Sequence, residues 1–92
     1  MRKSIHSDEY QHFLVELRRV RADAGISQEQ LAAALGEHQT FVSKVERGVR
    51  RLDVVELRLW VKALDVAFPT FCERLDARLS RHRRPAGVVR LR

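Results

Sequence analysis

The chain is poor in the residues that build disulfides, metal centres and membrane spans. Cys72 is the only cysteine, so no intrachain disulfide can form, and the histidines at 6, 12, 38 and 82 lack any ligand spacing of the CxxC kind. No stretch approaches the roughly 18 consecutive apolar residues of a membrane span. The opening MRKSIHSDEYQHF lacks the apolar run of a signal peptide. A cytoplasmic protein with no cofactor and no metal is therefore expected. No acid, base and nucleophile cluster coincides with a plausible pocket, which disfavours an enzyme. With 92 residues there is room for one small domain with a modest core, and a partner subunit that covers further apolar surface would fit.

Acidic residues are missing from the last fifteen positions, which carry six arginines. The rest of the chain holds twelve residues of each sign, so the whole net charge of +6 sits at the C-terminal end. Within the balanced part, Lys44, Arg47, Arg50 and Arg51 against Glu46 form a local basic island. Charge so placed points towards nucleic acid.

Five helical patterns and no convincing strand are present, which predicts an all-α fold. Tyr10, Phe13, Leu14, Leu17 and Val20 recur at helical spacing from about Asp8 to Ala24, where Gly25 suits a left-handed cap. Ser27 with Gln30 has capping-box spacing, and a short second helix carrying Leu31, Ala32 and Leu35 ends at Gly36. A third runs from about Gln39 to Arg47 and ends at Gly48. Asp53 and Glu56 repeat the capping spacing ahead of a fourth, to about Leu64, striped by Val54, Leu57, Trp60, Val61 and Leu64. Pro69 suits the first turn of a fifth, lined by Phe68, Phe71, Cys72, Leu75 and Leu79. Cys72 is expected as a small buried hydrophobe, Trp60 as core, and Phe41 as packing against helix two. The division is a domain over 1–80 and a basic, flexible tail over 81–92.

The stretch SQEQLAAALGEHQTFVSKVERG carries the strongest signal. Plotted at 100° per residue, Gln39, Thr40, Ser43, Lys44 and Arg47 share one face of helix three, while Phe41, Val42 and Val45 fall opposite and Glu46 lies at the boundary. Two helices crossing steeply over a tight turn need a small residue where they touch, a residue tolerant of positive φ, and apolar anchors on the second helix. Ala32, Gly36, Val42 and Val45 supply these at the fifth, ninth, fifteenth and eighteenth positions counted from Gln28. That is the spacing of a helix-turn-helix.

From about Phe13 to Val66 the sequence resembles the DNA-binding domain of Cro and phage-repressor type regulators, the XRE family. Its size and phenylalanine-rich fifth helix are also similar to controller proteins of restriction-modification systems. The resemblance implies a repressor-like, five-helix domain that binds double-stranded DNA. Gln39, Thr40 and Lys44 match base-facing positions, suited in turn to adenine, a thymine methyl and guanine. Gln28 matches a residue that bonds a phosphate and braces the first recognition residue. Ser43, Arg47, Arg50 and Arg51 lie where backbone contacts are expected, with His38 a further phosphate candidate. Arg21 and Glu46 match a structural ion pair.

Helix five and the patch of Val55 and Leu59 raise the question of assembly. Val55, Leu59, Phe68, Phe71, Leu75 and Leu79 are expected to form a twofold interface, the alternative being that helix five only completes the core. Such a dimer would place two recognition helices about 34 Å apart, to match an inverted repeat. The function expected is a sequence-specific transcriptional regulator, a repressor rather than an activator. The alternative is an antitoxin-like module in which helix five or the tail engages a partner protein and DNA binding is secondary. If the tail only follows phosphates, deleting residues 81 to 92 will flatten the salt dependence of DNA binding and leave the preferred sequence unchanged. An altered consensus after that deletion contradicts a purely electrostatic tail.

Overall fold

The computed structural model describes residues 7–82, which form five helices: α1 Asp8–Asp23, α2 Gln28–Leu35, α3 Gln39–Glu46, α4 Val54–Ala63 and α5 Phe68–His82. No strand occurs among the described residues. Residues 83–92, most of the expected tail, and His6 lie outside the described residues.

Local chemistry fixes the helix ends. Ser7 Oγ accepts from the Tyr10 amide at 3.0 Å, and Asp8 and Glu9 place negative charge at the positive end of α1. Ser27 with Gln30 and Asp53 with Glu56 each close a full capping box, so two orphan amides are satisfied at the start of both α2 and α4. Gly36 ends α2 in the left-handed region at φ 70°, and the Glu37 amide reaches back to the Ala32 carbonyl at 2.9 Å. A turn of the same kind follows α4, where Asp65 takes φ 62° without being glycine.

The core gathers Phe13, Leu14, Leu17 and Val20 from α1, Leu31 and Ala32 from α2, Val42 and Val45 from α3, Trp60 and Val61 from α4, Leu64 just after it, and Phe71 from α5. Phe13 and Phe71 meet edge to face, with ring centroids 6.2 Å apart. The junction of α2 and α3 is built on buried Ala32, Val42 and Val45, the residues the spacing singled out.

Several expectations need correction. Phe71 is fully buried inside the protomer, so it belongs to the core and not to a subunit interface. Cys72, one step of 100° further round the helix, is exposed. The fifth helix, read along its stripe as far as Leu79, continues through Arg81 and His82. Phe41 packs against the core, and its ring lies 6.1 Å from that of Trp60, a contact with α4 beyond the one expected with α2.

The extra length of α5 is tied down by charge. Arg78 occupies the buried position seven residues after Phe71, where an apolar stripe would continue, and faces Glu16, itself set within the apolar face of α1. Glu16 accepts from Arg74 Nε at 2.8 Å and Arg78 Nε at 3.2 Å. Arg78 Nη1 also lies 3.3 Å from His12 Nδ1, and the His12 ring stacks on His82 at 4.0 Å. Slight desolvation and then the nearby charges of His12, Arg78 and Arg81 hold the exposed His82 imidazole below its ordinary pKa.

Glu16 and Arg78 are both largely withdrawn from water, whereas the Arg74 side chain is 37% exposed. Glu16→Ala strands the Arg78 charge and should cost about 3 kcal/mol in urea unfolding. Arg74→Ala should cost about 1 kcal/mol or less. Equal losses would show that burial does not set the strength of this clasp.

Candidate nucleic-acid interface

The eight-residue helix α3 is too short to persist alone and takes its orientation from what it packs on. Val42, Val45 and Glu46 are buried beneath it, while Gln39, Thr40, Lys44 and Arg47 are exposed and Ser43 is half-buried. Five side chains expected on one polar face are thus presented together. Arg47 Nε donates to Ser43 Oγ at 3.2 Å, which directs the guanidinium along that face. His38 caps the helix with extended backbone but makes no side-chain cap bond, and it is exposed at the start of the helix.

Polar contacts beneath the helix converge on Glu46, whose side chain is 2% exposed. Arg21 approaches as a fork, Nε to Oε2 at 2.7 Å and Nη2 to Oε1 at 2.9 Å, and its Nη1 donates to the Ile26 carbonyl at 3.0 Å. Hydrogen bonding to Glu46 raises the Arg21 value further above its ordinary one, against the opposing effect of burial. Gln28 Nε2 donates to the same Glu46 Oε1 at 3.0 Å, and Gln28 Oε1 accepts from Gln39 Nε2 at 3.3 Å. Arg18 Nη1 donates to the Glu46 carbonyl at 2.8 Å, at the negative end of α3. Helical periodicity alone does not flag Arg18. Its place three residues before Arg21, on the same side of α1, is the signal that could have found it.

The turn from α3 to α4 is held as tightly. Gly48 adopts φ +79°, and a Cβ there would lie 2.9 Å from Leu14 Cδ1, so both conformation and space demand glycine. Arg50, expected on a phosphate, donates in this DNA-free structure from Nη1 and Nη2 to Glu56 at 2.7 and 2.9 Å and lies over the Phe41 ring at 4.8 Å. The pair braces the turn and leaves the Arg50 side chain 43% exposed. Hydrogen bonds from Arg50 and then from the Asp53 amide hold the Glu56 carboxyl below its ordinary value. The Arg51 guanidinium lies 5.4 Å over the Tyr10 ring.

Of the residues expected at a subunit interface, Val55 and Leu59 are 66% and 51% exposed. Phe68, Leu75 and Leu79, along α5, are half-buried. Among the described residues no group of three or more His, Cys, Asp or Glu is placed to hold a metal ion, and no helix is long and apolar enough to cross a membrane. An open depression of about 230 Å³, lined by Arg58, Lys62, Val66, Ala67, Phe68 and Pro69, lies where α4 meets α5.

The arrangement offers a short helix with one polar face, braced at both ends and flanked by cations. Comparison with known proteins bears on what that face does. The Helix-turn-helix family model matches residues 17–71, from the middle of α1 to the first turn of α5. Among solved structures, the chain is similar to an XRE-family like protein from Pseudomonas syringae pv. tomato str. DC3000, with 40% identity, 80% of this chain and 90% of that one covered, and a TM-score of 0.73. It is also similar to the wild-type restriction-modification controller protein C.Esp1396I, at 28% identity over 84% of this chain and 100% of that one, with a TM-score of 0.76. The tetramer of that controller protein in complex with its natural 35 base-pair operator matches at 28% identity, over 82% of this chain and 99% of that one, with a TM-score of 0.74. No curated protein sequence matches the chain.

The pairing of Arg50 with Glu56 can be tested by titration. A carboxyl held low in the folded state stabilises it above the unfolded value, and that contribution fades as the pH falls through the folded one. Glu56, followed by NMR, should therefore titrate below an ordinary glutamate in the unaltered protein and move back up in Arg50→Ala. An unmoved midpoint would show that the pair does not persist in solution.

Proposed function

The chain belongs to the XRE-type helix-turn-helix family of DNA-binding transcription regulators, and we propose that it acts as a homodimeric repressor, inserting α3 of each protomer into successive major grooves of an inverted repeat. One observation carries this reading: Gln39, Thr40 and Lys44 are exposed on a helix whose opposite face is buried and whose orientation is fixed by Glu46.

The chemistry of those three side chains suits direct readout. The Gln39 amide complements adenine N6 and N7, the Thr40 methyl can meet a thymine methyl, and the Lys44 ammonium can donate to guanine O6 or N7. Gln28, Ser43, Arg47 and Arg51 take phosphates and set register more than sequence preference. Arg50 serves them indirectly by fixing the turn that carries Arg51. Occupancy of a promoter by such a unit excludes polymerase, which is the simplest route to repression. The work is binding and not catalysis, and its place is the cytoplasm, with the DNA.

Exposed Val55 and Leu59 support a twofold contact through α4, extended by Phe68, Leu75 and Leu79 but not by Phe71. The neighbouring controller protein binds its operator as a tetramer, which supports assembly on DNA for this chain as well. Burial of Phe71 removes one residue from what helix five offers, whether to a second copy or to a foreign protein.

Selection from a randomised duplex library should enrich an inverted repeat with half-sites one helical turn apart. On that site, Gln39→Ala and Lys44→Ala should each weaken specific binding by about 1 to 3 kcal/mol and affect nonspecific binding much less. Failure to enrich any motif with folded protein, or equal losses on all sequences, refutes base readout.

A further inference from the structure

The far end of α5 is held on α1 by two imidazoles and a guanidinium. Arg78 Nη1 lies 3.3 Å from His12 Nδ1, and the His12 and His82 rings stack at 4.0 Å with 18° between their planes. An arginine side chain carries only donors, so this contact is a hydrogen bond only when His12 Nδ1 is unprotonated and the ring holds its proton on Nε2. Arg78 has little freedom to give way if His12 gains a second proton, because it is buried and its Nε donates to Glu16 Oε1 at 3.2 Å. A charged His12 would face that guanidinium directly, with the second ring across the stack.

We propose that His12 and His82 form a proton-operated latch: with both imidazoles neutral the last turn of α5 lies fastened on α1, and on protonation that turn detaches while the rest of the fold stays docked. Further back along α5, Phe71 is core and Arg74 and Arg78 share the Glu16 carboxylate, so the helix as a whole has other anchors. The latch decides where the chain leaves the domain for the arginine-rich residues that follow His82.

The surrounding charges set the sense of the response. From α5, Arg78 and Arg81 stand near the pair, oppose added positive charge and, after slight desolvation, hold His82 low. From α1, Glu16 is already divided between two arginines, and Asp8 and Glu9, in the first turn ahead of His12, are exposed and act through water. The carbonyl end of α5 favours positive charge, but Arg81 already supplies it in the same last turn. A histidine held below its ordinary value in the latched form protonates more readily once released, so acid favours release. The latch is complete above about pH 6.5, the ordinary imidazole value, and is lost as the pH falls from there through the lower value of the latched ring.

NMR of the unaltered protein between about pH 7.5 and about pH 5 tests the latch, through the Cα shifts of Ser80, Arg81 and His82 and the proximity signal between the two imidazole rings. The helical shifts of those three residues should fall by about half or more and the ring-to-ring signal should vanish, while Phe13 and Phe71 keep their shifts. His12→Gln combined with His82→Gln retains an acceptor for Arg78 and removes both titrating rings. In that variant the shifts of the last turn, whatever their starting level, should no longer change with pH.

Helical shifts and a ring-to-ring signal that persist to the acid end overturn the latch without reference to any variant. An equal loss in the double variant assigns the response to Asp8, Glu9 or Glu16 and also overturns it. Simultaneous loss at Phe13 and Phe71 would mean that acid unfolds the domain as a unit, with no latch of its own at the end of α5.

Discussion

A carboxylate buried between helices has to be compensated on every side, and at Glu46 the compensation is what joins the helices. Arg21 comes from α1, Gln28 from α2, and the acid itself sits at the end of α3, so one charge fixes the mutual placement of three elements. Removing Arg21 would leave that charge in a site with no water to receive it, a far larger penalty than the loss of an exposed pair. Arg18 adds a bond to the Glu46 carbonyl, so side chain and backbone of the same residue are both held from α1. The exposed face of α3 is a consequence of this arrangement, because a helix of eight residues has little stability of its own with which to choose an orientation.

The opposite seam of the molecule repeats the device. Glu16 on α1 receives Arg74 and Arg78 from α5, spaced one turn apart, much as Glu46 receives the arginines of α1. Glu16 and Glu46 are the two acids buried among the described residues, and each closes a helix junction where apolar contact alone would permit sliding. Hydrophobic burial supplies the drive to collapse but says little about register along a helix axis, whereas a forked arginine on a carboxylate tolerates small displacements poorly. The core and the ion pairs thus divide the work between cohesion and alignment.

Local signals in the sequence carried most of the fold, and longer-range pairing was the part it hid. Both capping boxes and the turn at Gly36 stand where residue spacing placed them, because caps are decided by neighbours within four positions. The helix-turn-helix was legible for a similar reason: Ala32, Gly36, Val42 and Val45 obey a steric requirement of one short unit. Assigning α5 its faces was harder. Phe71 and Cys72 are adjacent, both read as apolar, and only the position of α1 decides that the first is core and the second exposed. Arg50 and Glu56 look like surface charges six residues apart. Their pairing depends on a turn whose shape is set by Gly48 packing against Leu14. Glu16 and Arg78 did leave a trace, a charged residue inside an apolar stripe on each of two helices, and such coincidences reward pairing before either is assigned to solvent.

Placement of Gln39 shows how far from the surface the determinants of a binding face can lie. Two or three hydrogen bonds to a base edge discriminate only when the side chain arrives already oriented, since freezing an exposed glutamine at the moment of contact costs side-chain entropy that every base would have to repay equally. In this protein the orienting groups form a graded series from buried Glu46, through half-buried Gln28, to exposed Gln39. Water access rises along that series. On the proposed reading, specificity would be a property of the whole seam between α1, α2 and α3, with α3 as its exposed edge.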